Sequence, residues 1–301
     1  MAVAAPVLLS RKRRALLPGV FIYWHLLSLD APTVAVVWAW AFARAAHVHL
    51  SASAAAVLAI GTWLVYVADR LLDSRPGAPR DNRRDDLRER HFFHARHRRT
   101  LLFVAGPAAL LLAFLILRMP AVALREDAVV FAIAMVYFAL VHISLVHISP
   151  ARIRFPRELV VGVVFALACA VPAWSQMTAV PAGWLFLVPL FAALCWLNCA
   201  AIDVWEQADI DKRRFTLAAL GLGIAVLSAV LALTAESALR EPATLRVAGA
   251  IFTSALLLFA LDRDHRRTLR REPGESSTLA IRILADAALL TPLLFAIPWR
   301  I

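Results

Sequence analysis

Two acidic patches, Asp69-Arg70-Leu71-Leu72-Asp73 and Asp203-Val204-Trp205-Glu206-Gln207-Ala208-Asp209-Ile210-Asp211, each close an apolar stretch of this chain. Within each patch carboxylates recur at i,i+3 or i,i+4, a spacing that puts them on one face of a helix. Carboxylates at the edge of a membrane helix are costly to dehydrate, so by default they mark a functional site. Two such patches on the same side of a bilayer have the donors to hold Mg²⁺ and, through it, a diphosphate. The first patch is followed by Arg80-Asp81-Asn82-Arg83-Arg84-Asp85-Asp86-Leu87-Arg88-Glu89-Arg90. Guanidinium forks suit phosphate oxygens, which makes this loop a candidate lid over a diphosphate; binding anionic lipid headgroups is its other use. Arg152 and Arg154 open a further apolar stretch, where an anion near a helix N-terminus would meet them.

Other reactive side chains carry weaker signals. His91, His94 and His97 recur every third residue, as in a metal-binding histidine box. The remaining histidines are scattered, so donation to phosphate or lipid is the favoured role. Asp30, followed by Pro32, reads as the N-cap of a helix. Arg282 and Asp286 stand four apart in an apolar stretch and read as a structural ion pair. Cys169, Cys195 and Cys199 all fall in apolar sequence, and an odd set of buried thiols gives no disulfide framework.

The elements that must position these groups are membrane helices. The chain has 301 residues, 61% of them hydrophobic, and a mean hydropathy of +0.72. Soluble domains run nearer 45–50% apolar. Nine candidate spans lie near 31–47, 52–72, 99–118, 127–147, 158–174, 182–202, 215–235, 246–262 and 279–298. Residues 17–29 are expected either to form an interfacial helix or to lengthen the first span. The net charge of +11 lies in short loops, which argues for membrane orientation and against nucleic acid. Of the 32 Lys and Arg residues, only Arg44, Arg118, Arg125, Arg240, Arg246 and Arg300 fall outside the segments that become cytoplasmic when the N-terminus is inside. Arg11-Lys12-Arg13-Arg14 lacks a following small-residue cleavage site and reads as a retained cytoplasmic end. The expectation is one all-α, polytopic membrane domain over residues 1–301. It has about nine transmembrane helices, a basic N-terminus over 1–16 and a basic loop over 74–98, in an inner (cytoplasmic) membrane of bacterial type. Spans two and six both end in an acidic patch, which suggests two four-helix halves around one cavity plus a ninth helix.

With these motifs in view, the chain resembles the UbiA superfamily of intramembrane prenyltransferases. That family's first motif is Asn-Asp-x-x-Asp-x-x-x-Asp. Asp69 and Asp73 match its last two aspartates, while Val65 and Tyr66 replace the Asn and the first Asp. Its second motif is similar to Asp-x-x-Tyr-Ala-x-x-Asp-x-x-Asp. Ala200, Asp203 and Glu206 fit, Cys199 stands for the Tyr, and Trp196 replaces the first Asp. Both replaced aspartates lie about a turn deeper than those retained. The Asp30-Ala31-Pro32 start of span one and the basic opening of span five, with Pro156, Gly162 and Pro172, are also similar to the family. The resemblance implies nine helices around a central cavity. It also implies transfer of a prenyl group from a prenyl diphosphate to a lipophilic, possibly aromatic, acceptor. Asp69, Asp73, Asp203 and Glu206 would be the catalytic carboxylates and, with Asp209, the Mg²⁺ ligands. Arg80, Arg83, Arg84, Arg152, Arg154 and Asn198 would contact the diphosphate, and Tyr66 and Trp196 would line the cavity. The alternative is a non-catalytic membrane protein that binds or moves a polyprenyl or phospholipid headgroup.

Overall fold

A computed structural model describes residues 19–73, 93–147, 157–180, 183–206, 211–234, 242–271 and 278–296, and among these there is no β-strand. The helices are α1 (Gly19–Leu26), α2 (Asp30–Ala45), α3 (Ala52–Asp73), α4 (Arg98–Ile116), α5 (Ala121–His147) and α6 (Arg157–Trp174). They continue as α7 (Trp184–Glu206), α8 (Asp211–Thr234), α9 (Pro242–Arg271) and α10 (Thr278–Ala288), with a 3₁₀ turn over Thr291–Phe295. Every expected span overlaps a helix. Among the described residues, α3, α4, α7 and α9 are long and apolar enough to cross a membrane, and α1 with α2 makes a fifth if that bent pair is one span. The chain is therefore an all-helical, membrane-type protein. Large apolar side chains face outward on α4 and α5, among them Phe103, Leu110, Leu117, Val129 and Phe131. Such a surface suits lipid and would be a liability in water.

Residues 17–29, expected as an interfacial helix or a longer first span, lead into a sharp bend. α1 is a separate short helix, bent by 88° from α2. The bend is a Schellman turn: Leu29 N–H donates to the Trp24 carbonyl (3.0 Å) and Ser28 N–H to that of His25 (3.1 Å). Ser28 occupies the left-handed region with φ 59°, a conformation that costs a non-glycine residue about 1–2 kcal/mol. α2 ends in the same motif, with His47 at φ 56°. α3 begins behind a side-chain cap, the Ser51 hydroxyl accepting the Ala54 N–H at 3.2 Å.

α2, α6, α7 and α9 form the centre of the bundle, and α10 packs against α2, α7 and α9. Small residues on α2 (Ala35, Ala39, Ala43) let its neighbours approach closely, and a buried aromatic set fills the remaining volume. Trp38 stacks on Phe191 at 4.1 Å between ring centroids, while Phe42 meets Trp184 at 5.3 Å. α6 and α7 approach backbone to backbone at Gly162, where a Cβ would lie 2.7 Å from the Trp196 nitrogen. The last expected span is shorter as a helix than its apolar stretch suggested. α10 stops at Ala288, and Trp38 caps the released Leu289 carbonyl with its indole N–H at 2.7 Å. Thr291 then opens the 3₁₀ turn and donates to the Ala250 carbonyl of α9 at 2.8 Å.

Candidate functional site

Asp69 lies in the last turn of α3 and Asp203 in the last turn of α7, both half-buried. Asp73 and Glu206 end those helices, and their side chains lie outside the described residues. So do Arg80, Arg83, Arg84, Arg152, Arg154, Asp209 and His91. Tyr66 sits one turn before Asp69 and, on α7, Cys199 sits one turn before Asp203; the Tyr66 phenol lies within electrostatic reach of Cys199. The end of α7 is tied to α9, with the Trp205 indole N–H donating to Asp262 Oδ1 at 3.1 Å. Asp262 also pairs with Arg266. Arg70 stands between Asp69 and Asp73 in sequence. It is buried and donates through Nη1 to the His25 carbonyl at 3.0 Å.

A second polar centre was not expected. His25 Nδ1 lies 2.6 Å from Asp30 Oδ2 and 3.4 Å from Asp286 Oδ2. Ligand atoms of these three residues all fall within 4.8 Å of one another, and no other group of three or more His, Cys, Asp or Glu residues does so among the described residues. Asn198 reaches the same place from α7, its Nδ2 3.5 Å from Asp286 Oδ1. The charges of Asp30, Asp286 and Arg70 all act on Tyr66, so the centre borders the Tyr66 phenol.

Three readings of the sequence are corrected or extended here. Asp30 is not an N-cap; it is the first residue of α2, and its carboxylate goes to His25 and to the adjacent Ala31 N–H (3.0 Å). Asp286, read as half of a pair with Arg282, also faces His25 and Asn198, a role the sequence reading did not include. His94, read with its neighbours as a lipid or phosphate donor, is fully buried. The available signal was that His25, Asp30 and Asp286 each interrupt apolar sequence, and an ionisable group so placed must find a partner.

No family model, curated protein or solved structure matches the chain.

Proposed function

We propose that this protein is an intramembrane transferase that moves a prenyl group from a prenyl diphosphate to a lipophilic acceptor at the cytoplasmic face of a nine-span bundle. The substrate class comes from the resemblance of the two acidic motifs. The observation that most supports the reading is that Asp69 and Asp203 each stand, half-buried, in the last turn of a long apolar helix.

The donor chemistry of these helix ends fits Mg²⁺. The ion prefers hard oxygens and is commonly held by one or two carboxylates, with waters and substrate phosphates completing its shell. Asp69 and Asp203, with Asp73, Glu206 and Asp209 beside them in sequence, would hold it. When bound it would neutralise diphosphate charge. The chain's own groups account for the rest of the proposal. Arg80, Arg83, Arg84, Arg152 and Arg154 would grip the diphosphate oxygens, stabilising the charge that develops as the allylic C–O bond breaks and its electron pair leaves with the diphosphate. Apolar helices exclude water from the allylic cation, and the Tyr66 ring would shield it through its π-face. The acceptor would then form the new bond and release a proton to solvent. Asn198 enters this scheme differently from its expected role, since in the structure it faces Asp286.

The test is Mg²⁺-dependent diphosphate release by detergent-purified protein, offered prenyl diphosphates from C5 to C50. Asp69→Ala and Asp203→Ala should each abolish release while leaving the protein monodisperse. If wild type binds a prenyl diphosphate yet releases nothing from any of them, the protein is a headgroup binder. Replacement of the two deeper motif aspartates by Tyr66 and Trp196 is the feature that favours that outcome.

A further inference from the structure

We propose that His25, Asp30, Asp286 and Asn198 form a binding site for one divalent transition-metal ion of the Mn²⁺, Fe²⁺, Co²⁺ and Zn²⁺ class, where α1, α2, α7 and α10 meet. The proposal does not rest on the prenyl-transfer reading, and the site is separate from the acidic ends of α3 and α7.

The donor set is complete enough for such an ion. It offers one imidazole nitrogen and two carboxylates, with the Asn198 amide beside them, brought together from residues up to 261 positions apart. Metal–donor bonds of about 2.0–2.2 Å place neighbouring ligand atoms about 3 Å apart. The 3.4 Å between His25 Nδ1 and Asp286 already suits that spacing, and the 2.6 Å to Asp30 needs to open by only a few tenths of an ångström. A mixed imidazole and carboxylate set selects borderline ions over Mg²⁺, which favours oxygen alone.

Independent observations point to a missing ligand. Asn198 is buried, and its Oδ1 has no hydrogen-bond partner. Its Nδ2 lies at 3.5 Å from Asp286 Oδ1, the outer limit of a hydrogen bond. His25 is buried as well, its Nδ1 facing the two carboxylates that would share the ion. A buried amide oxygen left without a partner costs about 1–3 kcal/mol, which a bound cation would relieve. The surrounding charges oppose a cation only in part. Arg70 reaches the site from α3 but spends Nη1 on the His25 carbonyl, holding the backbone of α1 in place. Arg282 is buried one turn before Asp286 on α10. Two carboxylates face the ion directly. On binding, the ion takes the imidazole lone pair, and any proton held there leaves to solvent.

The experiment strips the detergent-purified full chain with a chelator, reloads it separately with Mn²⁺, Co²⁺ or Zn²⁺, desalts it and counts metal by mass spectrometry. Wild type should retain about one ion per chain, with Zn²⁺ or Co²⁺ held more tightly than Mn²⁺. His25→Ala and Asp286→Asn should lose at least nine-tenths of it, while Asp203→Ala keeps it. Co²⁺-loaded wild type should also show a single imidazole by X-ray absorption, a readout that stands if the variants fail to fold. Wild type without stoichiometric metal, His25→Ala loading like wild type, or bound Co²⁺ without imidazole would each overturn the proposal.

Discussion

The acidic ends of α3 and α7 and the centre around His25 are both polar places in an apolar bundle, yet they are built in opposite ways. At the helix ends carboxylates crowd in sequence, and Asp69 and Asp203 are half-exposed. Around His25, single ionisable groups from distant segments converge: His25 is buried, the Asp30 and Asp286 side chains are 10% and 22% exposed, and the three share one another's charge. A half-exposed carboxylate at a helix end retains much of its hydration. A carboxylate that neutralises a buried imidazole is part of what keeps that imidazole stable, so its removal reaches the fold itself.

The difference in cost is the largest effect expected. Asp30→Ala should lower unfolding stability by about 3–5 kcal/mol, because it strips a buried group of its counter-charge. Asp203→Ala should cost no more than about 1 kcal/mol, as for an exposed ion pair. Denaturant titration in detergent checks both, and equal losses would erase the contrast between the two regions.

Next in size is Gly162→Ala. Its Cβ would sit 2.7 Å from the Trp196 nitrogen and 3.0 Å from the Ala192 carbonyl, all backbone, so α6 and α7 must separate. Overpacking of this kind costs about 1–3 kcal/mol. Because α7 carries both Asn198 and Asp203, the same substitution should weaken metal retention and diphosphate release together, measured on one preparation.

Trp38→Phe keeps most of the ring packing and deletes the indole donor to the Leu289 carbonyl. A loss of about 1–2 kcal/mol in thermal unfolding is expected, since that carbonyl is left without its partner just past the helix that carries Asp286. The smallest effect belongs to the bend before α2. Ser28→Gly should relieve the left-handed conformation and raise stability by up to about 1 kcal/mol, without altering either polar site. A destabilised Ser28→Gly protein would mean that the buried hydroxyl matters more than the backbone strain.

The two regions also differ in how far they were legible in the sequence. Asp69 and Asp73, or Asp203 and Glu206, are neighbours through helical periodicity alone, so a local pattern suffices to group them. Helix positions were legible for the same reason, since apolar runs between charged breaks coincide with α2 through α9. His25, Asp30 and Asp286 were not. Their meeting depends on the 88° bend at Ser28 and on the packing of α10 against α2, and neither follows from local periodicity. A glycine would have announced a left-handed turn; a serine at that place does not. The end of α10 was hidden too, because the apolar run continues past Ala288 while Trp38, 251 residues away from Leu289, captures the freed carbonyl. Tyr66 joins the two accounts. It stands where the resembled motif has its first aspartate, and the carboxylates acting on it come from α2 and α10.

The separation of the two sites is tested most directly by measuring bound metal and diphosphate release on the same preparations of wild type, Asp203→Ala and Asp286→Asn. The expected result is that Asp203→Ala retains its transition-metal ion and releases no diphosphate from a prenyl diphosphate in Mg²⁺, while Asp286→Asn loses the ion. An Asp203→Ala protein that loses the ion along with release, or an Asp286→Asn protein that keeps it, would contradict the account.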